Sequence, residues 1–186
     1  MKRLLLSAVF AAFAVTLNVV AQSADDRELM QFRLTPEVLA KAEAVANAFS
    51  ANVAKDPRMK RRFDAQKEIA VLEDKDTLTQ AEQARLDALQ EIVGDEPIDL
   101  GINGGSLSEM SSQLQKVPPM AAALATAGML PRDMAKFVVT AVQAAMIGGL
   151  QGRGIPVPPG PAGDNIRFVT ANQAAIERIN KLLGAR

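Results

Sequence analysis

Three polar side chains set among apolar neighbours are the first candidates for binding chemistry: Thr140, Gln143 and Asn172. Thr140 and Gln143 are the only polar side chains between Phe137 and Leu150. At 100° per residue, Asn172 falls in the middle of a face shared by Phe168, Val169, Ala175, Ile176, Ile179, Leu182 and Leu183. A buried hydroxyl or amide left without a partner costs about 1–3 kcal/mol, so these groups must be paired. Mutual hydrogen bonds that fix helix register would satisfy them, and that is the default. A pocket is the alternative, and its ligand would be small, mostly apolar and carry one amide or hydroxyl group.

Lys55, Arg58, Lys60, Arg61 and Arg62 place five basic residues in eight positions, a pattern that can grip phosphate or an anionic glycan. They stand at a helix N-terminus, where cations oppose the helix dipole. Asp56, Asp64 and Glu68 are close enough in sequence to neutralise part of the patch, so a solvated face is the default. Glu91, Asp95, Glu96 and Asp99 offer the carboxylates that acid–base hydrolysis needs, without an aromatic platform to hold a sugar. Gly148, Gly149, Gly152 and Gly154 follow a helix instead of joining a strand to one, which is helix termination and not a nucleotide fingerprint. Met110, Met120, Met129, Met134 and Met146 are too scattered for a thioether copper site and read as core filling.

The chain lacks Cys, His, Trp and Tyr altogether. That excludes a disulfide framework, thiolate or imidazole metal sites, a cysteine nucleophile and a Ser–His–Asp triad. No cofactor motif is present, and an enzymatic role is not favoured.

The elements that position these residues are helices. Leu34-Thr35-Pro36-Glu37 is a helix start, with Thr35 as cap, Pro36 in the first turn and Leu34 placed to staple onto Leu39. Asp56-Pro57 repeats it. Thr79-Gln80-Ala81-Glu82 and Ser106 to Glu109 are capping boxes. Pro118-Pro119 breaks the helix before it, and a short alanine-rich helix closes at Gly128. No convincing period-two stretch occurs. The expected fold is all-α, an irregular or orthogonal bundle of about six helices.

The uncharged run 137–150 predicts that the helix over about 131–150 is the central one, surrounded by its neighbours. A stiff Pro/Gly connector is expected over 151–163, and a last helix from about Asp164 or Asn165 to about Leu183.

Residues 1–23 read as a signal peptide: Lys2 and Arg3, an apolar run from Leu4, then Ala21, Ser23 and Ala24. Cleavage after Ala21 or after Ser23 fits, leaving one helical domain over 24–186. Loss of Lys2 and Arg3 takes the formal charge from zero to −2, no electrostatic footprint for nucleic acid or anionic lipid. Membrane contact is expected only through the signal peptide before cleavage, and the location is periplasmic.

Leu34-Thr35-Pro36-Glu37, Gly128-Met129-Leu130-Pro131-Arg132-Asp133 with Gln143-Ala144 further on, and Asn165-Ile166-Arg167-Phe168-Val169 resemble small exported helical proteins of Gram-negative bacteria that have no assigned activity. The resemblance implies an all-helical periplasmic protein and transfers no catalytic residue. The expected function is a non-enzymatic binding or interaction domain for a periplasmic protein or small apolar ligand. Alternatives are an oligomer subunit using 137–150 as interface, and a carboxylate-dependent hydrolase.

Overall fold

The computed structural model describes residues 23–94, 100, 105–151 and 156–184. Nine α-helices and no strand occur among the described residues. They are α1 (Ala24–Gln31), α2 (Pro36–Lys55), α3 (Pro57–Glu73), α4 (Gln80–Val93) and α5 (Leu107–Lys116), then α6 (Pro118–Ala127), α7 (Pro131–Gln151), α8 (Pro161–Ala171) and α9 (Gln173–Leu183).

The starts follow from local chemistry. Thr35 Oγ1 accepts the Val38 N–H ahead of α2, and the Asp56 carboxylate accepts the N–H groups of Arg58 and Met59 ahead of α3. Both capping boxes form, Thr79 with Glu82 and Ser106 with Glu109. Gly128 closes α6 at φ 59°, the left-handed conformation in which a side chain is penalised. The structure adds α1, which starts in a third box between Ser23 and Asp26.

The centre of the bundle is α2, not the predicted helix over about 131–150. Ala42, Val45, Ala46 and Phe49 have no exposed surface, and α2 packs against α3, α6, α7 and α9. Its alanines let neighbouring helices come close, while Phe49 meets the Phe63 ring edge-to-face at 5.4 Å. In α7, Met134, Ala135, Phe137, Ala141 and Ala144 are buried, but Val142 is 47% and Met146 69% exposed. The run 137–150 is therefore covered on one side only. Its lack of charge reflects an apolar outer strip as well as an inner one.

Three further expectations change. The helix count exceeds six partly because of α1 and partly because the last predicted helix divides at Asn172 into α8 and α9. Gly148 and Gly149 do not end α7, which runs through them to Gln151, while Gly152 and Gly154 lie outside the described residues. The connector is shorter than 151–163, because Pro161 to Gly163 form the first turn of α8. A Cβ on Gly163 would stand 1.9 Å from the Pro158 carbonyl oxygen, so that turn requires glycine. Residues 1–22 of the expected signal peptide (1–23) also lie outside the described residues, and no helix among the described residues is long and apolar enough to cross a membrane.

A second, smaller core of Ala65, Leu72, Leu86, Leu89 and Val93 lies between α3 and α4, apart from the main cluster. The α3–α4 pair is thus a helical hairpin with its own apolar seam. Leu89→Ala, at a residue 2% exposed, is expected to cost about 2–5 kcal/mol and to loosen α4 first. Amide exchange that rises in α4 and stays slow in α2 checks this; equal acceleration in both contradicts it.

Candidate functional site

Three helices enclose a cleft of about 330 Å³. Asp26, Leu29 and Met30 come from α1, Thr140, Gln143, Ala144 and Ile147 from α7, and Ala162, Asn165 and Ile166 from α8. On each helix the spacing is three and four residues, so each presents a single face. The size lies at the lower end of small-molecule sites, roughly 300–1,000 Å³, and the lining is mainly apolar with a few polar groups, as such sites usually are.

Thr140 and Asn165 are the two buried polar residues among the described ones, each 4% exposed, and both line this cleft. Their hydrogen bonding differs completely. The Asn165 carbonyl oxygen accepts the Leu34 N–H at 2.8 Å, and its amide nitrogen donates to the Phe32 carbonyl at 2.9 Å. One carboxamide therefore satisfies two backbone groups of the α1–α2 link and ties that link to α8. The Thr140 hydroxyl is closed to solvent and has no protein partner. It does not use the option of donating to a carbonyl of its own helix, which Thr170 takes with Ile166 at 2.9 Å.

The predicted trio of Thr140, Gln143 and Asn172 does not form a network. Gln143 is exposed and lines the cleft beside Thr140. Asn172 is half-buried at the α8–α9 junction, where its amide donates to the Phe168 carbonyl at 2.9 Å, away from the cleft lining. Asn165, read from sequence only as a helix start, is the buried amide instead. The α1 wall was also missed, although Ser23-x-x-Asp26 carries the signal of a capped helix.

The α1 wall is held by charge. No α1 residue is buried, and Leu29 only partly packs on the main core. Arg132 donates to Asp25 at 2.7 Å and to Glu28 at 2.6 Å, and reaches Ser108 of α5 at 3.1 Å. Asp25 also accepts the Leu107 N–H at the α5 N-terminus, at 2.8 Å. Lys136 pairs with Glu28 at 3.1 Å and with Asp133 at 2.6 Å, and stands 5.2 Å from the Phe32 ring centre. Hydrogen bonds from Arg132 and then Lys136 hold the Glu28 carboxyl below its ordinary range. Burial pushes the Lys136 ammonium down, but its bonds to Asp133 and Glu28 outweigh this and leave it raised.

The basic cluster is dispersed. Lys55 ends α2 and reaches Asn52 at 3.4 Å, while Arg58, Lys60, Arg61 and Arg62 lie on α3. Lys60 pairs with Asp64, and Arg62 is half-buried. Lys60 and Arg61 line a groove of about 470 Å³ with Asp64, Glu68 and Arg85. Arg85 Nε and Nη2 each donate to a Glu68 carboxylate oxygen at 2.7 Å, which lowers the Glu68 carboxyl. The acids and bases of this groove thus largely neutralise one another. Asp95, Glu96 and Asp99 lie outside the described residues. Among the described residues, no group of three or more acidic side chains stands together to hold a metal. Met110, Met120, Met129 and Met134 are buried as core filling requires; Met146 is not.

The Glu28 ion pairs give α1 a defined acid response. A carboxyl lowered on folding contributes stability above its ordinary value of 4.5, and that stability is lost as the pH falls through the folded value. Below about pH 4.5, α1 is expected to come away before the core opens. Backbone amide NMR checks this: signals from 24–31 should change first, and simultaneous loss with α2 contradicts it. Comparison with protein-family models, curated proteins and solved structures gave no match to this chain.

Proposed function

We propose that this chain is a non-enzymatic exported domain that binds a small, mostly apolar ligand carrying one hydroxyl or amide group. The ligand occupies the cleft between α1, α7 and α8. The buried, unpaired Thr140 hydroxyl carries this reading. A fold that satisfies the buried Asn165 twice over leaves Thr140 unpaired beside an apolar cleft. A ligand hydroxyl or amide would complete it, and Leu29, Ala144, Ile147 and Ile166 would cover the rest of the molecule. Asp26 is the one ionisable residue of the lining among the described residues, which gives catalysis no acid–base pair there.

The charged n-region, apolar run and small residues before Asp25 support export, as does the resemblance to small exported helical proteins. Cleavage after Ala21 keeps the Ser23 cap on α1. Cleavage after Ser23 would remove it and place a positive α-amino group against the helix dipole. The mature chain is therefore expected to begin at Gln22, checked by intact mass; a start at Ala24 contradicts this.

A second reading, in which 137–150 completes an oligomer interface, is favoured by the exposed Val142 and Met146. Sedimentation showing a monomer at every concentration removes it.

The ligand reading is tested with 1-naphthol and naphthalene, whose fluorescence is not masked by Trp or Tyr in this chain. 1-Naphthol is expected to bind saturably. Thr140→Val should weaken it by about threefold to tenfold while leaving naphthalene unchanged, the size of one net hydrogen bond. Equal effects on both probes, or no saturable binding, contradict the reading.

A further inference from the structure

The Thr140 hydroxyl is closed to solvent, so a ligand reaches it only if a wall of the cleft moves. The three walls are not held alike. Those on α7 and α8 include Ala144 and Ile166 of the main core, and the same two helices set Phe137, Ala141 and Val169 into that core as well. The α1 wall contributes no buried residue and ends in the link that Asn165 fastens at Phe32 and Leu34. Residues 24–31 are therefore held beyond their C-terminal end by Asn165 and along their length by Asp25 and Glu28 on Arg132 and Lys136. Removing α1 strips Asp26, Leu29 and Met30 from the cleft and leaves the α7 and α8 faces standing.

From this, and resting on the reading of the cleft as a ligand site, we infer that α1 is a hinged latch. It swings on the Asn165-tethered link, and its ion cluster on Arg132 sets how often the cleft opens. Opening breaks charge-assisted hydrogen bonds and a thin apolar contact, and leaves the core intact. Such a segment belongs to the low-stability end of a protein's opening motions. Entry and exit of ligand are thereby governed by electrostatics remote from Thr140.

The absence of cysteine makes the latch directly measurable. Ala144→Cys puts a thiol in the cleft wall, at a residue 4% exposed, and Ala46→Cys puts one in the fully buried centre of α2. Each is made in the full chain and labelled with iodoacetamide. Combining Ala144→Cys with Arg132→Gln should raise its labelling rate about tenfold, while Ala46→Cys labelling stays unchanged. Raising NaCl from about 0.05 to 1 M should do the same in part without Arg132→Gln. Labelling of Ala144→Cys that ignores both Arg132→Gln and salt, or that rises in step with Ala46→Cys, overturns the latch. Adding 1-naphthol separates the two claims: if it fails to slow Ala144→Cys labelling while Arg132→Gln still accelerates it, the ligand reading fails and the hinged wall stands.

Discussion

Every polar group this chain buries has to be paired or it costs stability, and the region around α8 is organised by that requirement. Asn165 meets it in full. Its carboxamide takes both a donor and an acceptor from the link between α1 and α2, across more than a hundred residues of sequence. That one side chain fixes where the chain turns from α1 into the central helix, and so where α1 lies against α7. Thr140, in the opposite wall of the same cleft, does not meet it. Asn165 builds the cleft and Thr140 gives it something to bind.

The centre of the bundle and its α1 wall are stabilised by different physics. Around α2 the contacts are apolar and complete, with alanines at the closest approaches and Phe49 against Phe63. Around α1 they are ionic and half exposed: the Arg132 and Glu28 side chains are 36% and 35% accessible. Isolated pairs at such exposure contribute about 0–1 kcal/mol, and only their linkage through Arg132, Lys136 and the α5 N-terminus makes a clamp. A weakly held wall beside an unsatisfied hydroxyl is an arrangement suited to exchange of a small ligand.

Local signals in the sequence were legible because local chemistry decides them. The caps at Thr35, Asp56, Thr79 and Ser106, the prolines behind them and the left-handed Gly128 all act within one turn. Placement of whole helices was not. Two long helices, α2 and α7, are both rich in alanine and valine, and periodicity cannot tell which is enclosed. Small residues at Ala42 and Ala46 let α2 take the centre, which leaves Val142 and Met146 outside. The site divided in the same way. Thr140 was correctly read as buried, because its helical neighbours are uniformly apolar. Asn172 was misplaced because a helical wheel assumes one continuous helix, and its own backbone, at φ −117°, breaks it. Asn165 was overlooked because its partners are backbone groups remote in sequence.

The central claim is that the fold leaves the Thr140 hydroxyl unpaired, and thermal unfolding of Thr140→Val without ligand tests it most directly. Removing an unsatisfied buried hydroxyl should stabilise the protein by about 1 kcal/mol and raise Tm by about 2–4 °C. A fall in Tm of similar size would mean that the hydroxyl is already satisfied, and the cleft would lose its claim to a polar ligand.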